Sequence, residues 1–337
     1  MKQETHYGIH QYKEKMQIQT AIARVIQKEH YKYKIVKEDG TVLTAMPATP
    51  DKQCYVGDYV MYQEFEEAYH IMQIYPRETI VSKAKNQTAK NYNEEIGEQI
   101  LGTNVSQIFV LIAANQRFTL GKLERYLMTF SRDNIKVDVI ISKADYSDQA
   151  EKIKGMIHDI YPDIDVKLMS VYQEERVRAL KKSIVNESTI LLVGASGAGK
   201  STLINYLTGE MNEATKEVRT DGKGKHTTTW TSLIYLNECN AYLIDTPGFK
   251  TIDTTQDVEA TVLYKDIDQL SQKCKFTDCR HHGEPGCAVQ QAIDTGELNE
   301  DKFNRYALYQ KKLQGYNAYQ RRKNKQPKEK RQMKYVK

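Results

Sequence analysis

The sequence predicts a multidomain α/β protein: an N-terminal β-barrel, a doubly wound domain around a phosphate loop, and a helical C-terminal region with a metal cluster. Three observations predict it. Residues 17–80 carry about five short strand-like stretches separated by turn signals. From 107 to 244 apolar strands alternate with helical stretches, the rhythm of a parallel sheet covered on both faces. Three cysteines and two histidines then fall within the fourteen residues 274–287, a pattern that suggests a metal site and no disulfide framework.

Length and composition fit this division. At ~100–200 residues per domain, 337 residues suggest two or three domains. The expected boundaries are 1–82 for an N-terminal extension and barrel, 83–265 for the phosphate-loop domain, and 266–337 for the metal-binding domain and a basic tail. Hydrophobic residues make up 40% and charged residues 28%, which suits soluble globular domains. No run of ~18 apolar residues exists, so a membrane helix is excluded. Met1–His6 leads into no apolar core, so no secretory signal is expected and the cytoplasm is favoured. A monomer without membrane contact is expected. The net charge of +5 is uneven: residues 311–337 hold eleven Lys or Arg against Glu329 alone, so the remaining 310 residues are net acidic. Such a tail either seeks a polyanion, RNA above all, or only solubilises the chain.

In chain order, Ile18–Ile26 is the first expected strand. Tyr31–Val36 alternates with period two and runs through an Asp39-Gly40 turn into Thr41–Leu43, a hairpin signal. Strands around Tyr55–Tyr62 and Tyr69–Tyr75 complete a small barrel, for which the OB-fold is one solution. Alternating Tyr and Lys on the second strand suits either a nucleic-acid face or an ordinary amphipathic strand. Residues 83–95 are polar and read as a linker. Gln107–Ala114 is a continuous apolar strand of a parallel sheet. Leu120–Phe130 and Ala150–Ile160 read as helices; Val137–Ile141, Val166–Met169, Thr189–Val193, Leu233–Leu236 and Tyr242–Ile244 read as strands.

The strongest motif is Gly194-Ala195-Ser196-Gly197-Ala198-Gly199-Lys200-Ser201, which follows a strand and opens a helix at Thr202. Its backbone N–H groups and the helix N-terminus suit phosphates. Lys200 is expected on the β- and γ-phosphates and Ser201 on Mg²⁺. Downstream, Asp245-Thr246-Pro247-Gly248 ends a strand; Asp245 fits a carboxylate holding Mg²⁺, and the Gly248 N–H a γ-phosphate sensor. Between them, Thr227, Thr228 and Thr229 offer hydroxyls to Mg²⁺ in a switch segment. A carboxylate selects guanine by accepting from its N–H donors. No such motif follows Gly248, but Ser142-Lys143-Ala144-Asp145 stands before the phosphate loop at a strand end. Asp145 there reads the guanine edge and the Lys143 stem covers the ring; a plain surface Lys-Asp pair is the competing reading. Ser170-Val171 supplies a backbone contact to the guanine oxygen.

Base motif, phosphate loop, switch segment and D-T-P-G thus follow one another in a circularly permuted order. The chain here resembles the circularly permuted ribosome small-subunit-dependent GTPases (RsgA, also called YjeQ) over nearly its whole length. Val56-Gly57-Asp58-Tyr59-Val60 is similar to that family's OB-fold motif, Leu123–Leu127 to its GTPase-domain motif, and Gly222–Thr229 to its G-R-G-R-H-T-T-T segment. The resemblance implies an N-terminal OB-fold, a circularly permuted P-loop GTPase domain and a C-terminal zinc domain. It implies GTP and GDP as ligands, and the small ribosomal subunit with its rRNA as partner. Ser142 stands where Asn or Thr is usual, which is expected to remove or shorten a contact between base loop and phosphate loop. Val171 replaces an Ala, and Lys223 and Lys225 replace arginines.

Cys274, Cys279 and Cys287 with one of His281 and His282 supply four ligands to a closed, structural Zn²⁺ site. The family spacing selects His281. Cys54 and Cys239 sit in strand-like runs as core residues. After D-T-P-G stands Phe249, which cannot orient water. His226 is therefore the candidate for that role, with a loop or RNA-contact histidine as the competing reading; the resemblance implies the catalytic one. A nucleotide-gated rRNA-binding protein with little hydrolysis is the alternative function.

Overall fold

The computed structural model describes residues 7–84, 98–131, 134–209, 231–246 and 263–325, apart from the side chains at 84, 316, 317 and 319–325. The chain divides into two compact units, Met1–Glu259 and Ala260–Lys337.

The first unit opens with a helix that the sequence reading did not anticipate, α1 (Ile9–Met16). It ends where Gln17 takes a left-handed conformation and the Ile18 N–H donates to Lys13 O at 2.9 Å. Ile9 and Tyr12 pack with Ile22 and Tyr59. Residues 18–22 are therefore spent closing and covering this helix, and the first strand starts later than expected, as β1 (Ala23–Glu29). With β2 (Lys32–Lys37), β3 (Val42–Pro47), β4 (Tyr59–Phe65) and β5 (Ala68–Ile74) it forms a sheet in the order β1-β2-β3-β5-β4. Pairing of β4 back onto β1 closes a five-stranded, OB-like barrel. Val25, Tyr33, Ile35, Ala45, Cys54, Val60 and Ile71 fill it.

That core decides the Tyr-Lys question on β2. Tyr33 is 4% exposed and faces inward, while Lys34 faces out and pairs with Glu29 at 3.0 Å. The alternation is that of an amphipathic strand. Tyr31 stands exposed in the preceding turn.

The V-G-D motif is a structural knot. Gly57 has φ +101°, and a Cβ there would stand 2.2 Å from Thr103 O. No other residue fits so close a backbone approach. The fully buried Asp58 accepts from Arg77 through two bonds of 2.7 and 2.8 Å, from Thr103 Oγ1 at 2.7 Å and from the Tyr55 N–H at 2.8 Å. A buried carboxylate is tolerable when its lone pairs are met in this way.

Residues 83 and 84, expected in a linker, belong to β6 (Ile80–Ala84), which pairs with β7 (Glu98–Thr103). The rest of that stretch, from 85 to 95, lies outside the described residues. The larger sheet contains β8 (Gln107–Ala113), β9 (Lys136–Ser142), β10 (Val166–Leu168), β11 (Thr189–Gly194), β12 (Ser232–Leu236) and β13 (Ala241–Asp245). Their order is β10-β9-β8-β11-β13-β12, all parallel except β12. Helices α2 (Leu120–Phe130), α3 (Ser147–Ile160), α4 (Glu174–Ser183) and α5 (Lys200–Thr208) connect the strands. Strands such as β11, buried at every position, read as apolar runs for that reason.

Barrel and sheet are continuous. Gln27 of β1 pairs with Ser232 of β12. Beside this bridge Arg24, 1% exposed, donates to Thr189 Oγ1 at 2.7 Å, Tyr7 O at 3.1 Å and Gly57 O at 3.4 Å. Its guanidinium lies 4.9 and 5.1 Å from the ring centroids of Tyr59 and Tyr242. Two electron-rich faces and three oxygens make a buried cation tolerable.

The second unit contains α6 (Lys265–Ser271), α7 (Ala288–Asp294) and the 26-residue α8 (Glu300–Lys325). Its core is small: Tyr264, Ile267, Val289, Ala292, Leu298 and Phe303. Lys302 Nζ donates to Asp266 at 2.6 Å, which ties α8 to α6. Among the described residues no helix is long and apolar enough to cross a membrane.

Candidate nucleotide site and metal centre

Parallel pairing brings the C-terminal ends of β8, β9, β10, β11 and β13 to one edge of the sheet. In open α/β sheets that edge is where ligands bind. The phosphate loop leaves β11 there and runs into α5. Gly197 and Gly199 have φ of +76° and +88°, which lets the backbone curl into a concavity of N–H groups. Ala195, Ser196 and Gly197 are exposed, as are Ser201 and Thr202 at the start of α5. Lys200 Nζ donates to Gly194 O at 2.7 Å and Ala195 O at 3.1 Å. Burial pushes its pKa below the ordinary lysine value, and the Asp245 carboxylate pulls it back up. Parallel pairing of β11 with β13, which ends at Asp245, brings this carboxylate to the same sheet edge as the phosphate loop. The Ser201 hydroxyl and the Asp245 carboxylate are hard oxygen donors of the kind Mg²⁺ takes.

The base loop follows β9. Lys143 adopts φ +55°, and the Ala144 N–H donates to Met169 O at 3.0 Å. Asp145 is exposed, and Ser170, buried after β10, donates its hydroxyl to Asp145 Oδ1 at 3.0 Å. Ser170 thus orients the carboxylate through its side chain, a role that the sequence reading, which gave it a backbone contact, did not assign. Ser142 keeps the tie to the phosphate loop that its short side chain was expected to weaken. Its Oγ donates to Ala198 O at 2.7 Å from a buried position. Close packing of β9 against the loop makes a hydroxyl long enough. Gln116, in the turn after β8, donates its amide to Ser196 O at 3.2 Å; no sequence motif marks it. His226, Thr227, Thr228, Thr229 and Gly248 lie outside the described residues.

In the second unit, Cys274, Cys279, His281 and Cys287 place their ligand atoms within 4.8 Å of one another. Cys274 Sγ lies 3.9 Å from Cys287 Sγ and 3.6 Å from His281 Nδ1; His281 Nδ1 lies 3.4 Å from Cys287 Sγ. With Zn–S bonds of ~2.3 Å, a tetrahedral site has S···S edges of about 3.8 Å, so the cluster fits zinc. His281, with φ +62°, joins the cluster and His282 does not, although both rings lie 6.3 Å from that of Phe303. Glu284 clamps the turn between them, accepting from the Arg280 N–H at 3.0 Å and the His282 N–H at 2.7 Å. Cys287 caps α7, its Sγ accepting from the Gln290 N–H at 3.3 Å. The clamp and the cap were not legible as motifs.

Comparison with known proteins agrees with this geometry. The RsgA GTPase family profile matches residues 74–255. The Small ribosomal subunit biogenesis GTPase RsgA 2 of Vibrio vulnificus (strain CMCP6) is 33% identical over 89% of this chain and 83% of its own length. This chain belongs to the RsgA GTPase family. The RsgA 1 of Oceanobacillus iheyensis is 35% identical over 77% of this chain and 73% of its own. Two solved RsgA-type folds match at lower identity. YjeQ from Thermotoga maritima gives a TM-score of 0.65 at 21% identity, covering 88% of this chain and 99% of its own. YloQ, described as a circularly permuted GTPase, gives 0.62 at 22%, covering 88% and 96%. The fold of these two structures is the one described above.

Proposed function

We propose that this protein is a GTPase of small ribosomal subunit biogenesis, which binds the small subunit and its rRNA and couples GTP hydrolysis to late maturation and release of assembly factors. The observation that carries the reading is the convergence of base loop, phosphate loop and Asp245 on one sheet edge. Asp145, held by Ser170, reads guanine, and the Lys143 stem covers the ring. The N–H groups of residues 194–202 cradle the phosphates, with Lys200 on the β- and γ-phosphates. Mg²⁺, held by Ser201, Asp245 and one of Thr227–Thr229, neutralises charge developing on the phosphoryl oxygens. Phe249 cannot orient water, so His226 takes that role, and Gly248 senses the γ-phosphate. The zinc held by Cys274, Cys279, His281 and Cys287 is structural, since all four positions are filled by protein. The working divisions are 1–82, 83–265 and 266–337, and the protein acts as a cytoplasmic monomer.

The test is phosphate release from GTP and from ATP, with and without purified small subunits at fixed salt. GTP-specific release that rises strongly with subunits, and falls in His226→Ala, is expected. Release from ATP equal to that from GTP sinks the guanine reading. GTP binding without release under any condition favours a nucleotide-gated rRNA binder instead.

A further inference from the structure

In a trans peptide the C=O of one residue and the N–H of the next point in opposite directions. A phosphate loop therefore presents its N–H groups only if the preceding carbonyls are turned outward and satisfied there. Three side chains hold them. Lys200 takes the carbonyls of 194 and 195, Ser142 that of 198 and Gln116 that of 196. Lys200 is the donor for which bound phosphates compete, so Ser142 and Gln116 are the braces that persist.

Gln116 is placed for this by its own turn. Its N–H donates to Ala113 O at 3.1 Å, and the Ala114 N–H donates to Ser142 O at 2.9 Å, which joins the two braces through the ends of β8 and β9. A Cβ at Gly197 would stand 2.9 Å from Gln116 Nε2, so the amide lies against the tip of the loop. The residue is exposed, and core packing gives no reason for its position.

We infer that Gln116 is a positioning residue for nucleotide binding: its amide holds the Ser196 carbonyl outward and thereby keeps the Gly197 N–H aimed at the phosphates. The inference rests on the GTPase reading above. The full-length protein is compared with Gln116→Ala and Gln116→Glu for binding of a fluorescent GDP analogue, for KM and kcat of GTP hydrolysis with small subunits, and for melting temperature without nucleotide. Loss of one neutral hydrogen bond is expected to weaken binding about fivefold in Gln116→Ala. Gln116→Glu, which cannot donate and adds negative charge beside the phosphates, is expected to lose more. KM rises in step, kcat stays within about twofold, and the nucleotide-free melting temperature is unchanged. Wild-type affinity in both variants overturns the inference and leaves the GTPase reading intact. So does an affinity loss accompanied by an equal loss of nucleotide-free stability. Failure of the wild-type protein to bind guanine nucleotide overturns both.

Discussion

The phosphate edge and the metal cluster are both concave sites made of a few polar atoms, yet they are built in opposite ways. Cys274, Cys279, His281 and Cys287 come from fourteen consecutive residues, in a unit whose described buried side chains include Tyr264, Ile267, Val289 and Phe303. The nucleotide site draws on residues from Gln116 to Asp245, brought together by a sheet with buried strands on both sides. The first arrangement is local. The second is distributed and held by packing. A short loop concentrates candidate ligands cheaply in sequence but supplies little burial.

Stripping the metal should separate the two regions most sharply. Structural zinc contributes on the order of 10–16 kcal/mol to small modules. Chelation is therefore expected to unfold residues near the cluster, read as new protease cleavage between 266 and 315, while Met1–Glu259 keeps its melting transition. Protease resistance persisting after the metal is verifiably gone would mean that the small core suffices alone.

A smaller effect tests how far the distributed unit is held by one buried cation. Arg24→Met keeps the stem volume but removes three donors and two ring contacts. A loss of about 2–3 kcal/mol is expected, seen in urea as a lower midpoint for barrel and sheet together. A midpoint unchanged from wild type would show that the strand bridge and apolar contacts hold the junction without it.

The smallest expected effect lies at the loop itself. Ser142→Ala removes the bond to Ala198 O, and about 1 kcal/mol, or a fivefold weaker affinity for GDP, should follow. Titration calorimetry reading equal affinity would show that the loop keeps its shape without that hydroxyl.

Legibility in sequence followed the same division. The Cys-His spacing and the phosphate loop are contiguous words, and both were readable because their chemistry lies in neighbouring residues. The helix Leu120–Phe130, the helix Ser147–Ile160 from Ala150 onward, and the buried strands were readable from the apolar pattern. The helix Ile9–Met16 was not, because its burial depends on Ile22 and Tyr59, contacts that no local pattern encodes. The inward turn of Tyr33 was ambiguous for the same reason: period two gives two faces but does not say which one is inside.

The sequence by itself determined the phosphate-loop motif, the clustering of Cys274, Cys279, His281 and Cys287, the permuted order of the motifs and the alternation of strand and helix. Each is fixed by residue type at short spacing, where chain connectivity already enforces proximity. Tertiary structure alone decided that barrel and parallel sheet join through β1 and β12, that Arg24 lies buried at that junction, that Ser170 orients Asp145, and that Ser142 and Gln116 brace the loop from neighbouring strand ends. Ser170 and Asp145 lie 25 residues apart and Arg24 and Thr189 lie 165 apart, and only the pairing of strands brings such partners within hydrogen-bond distance.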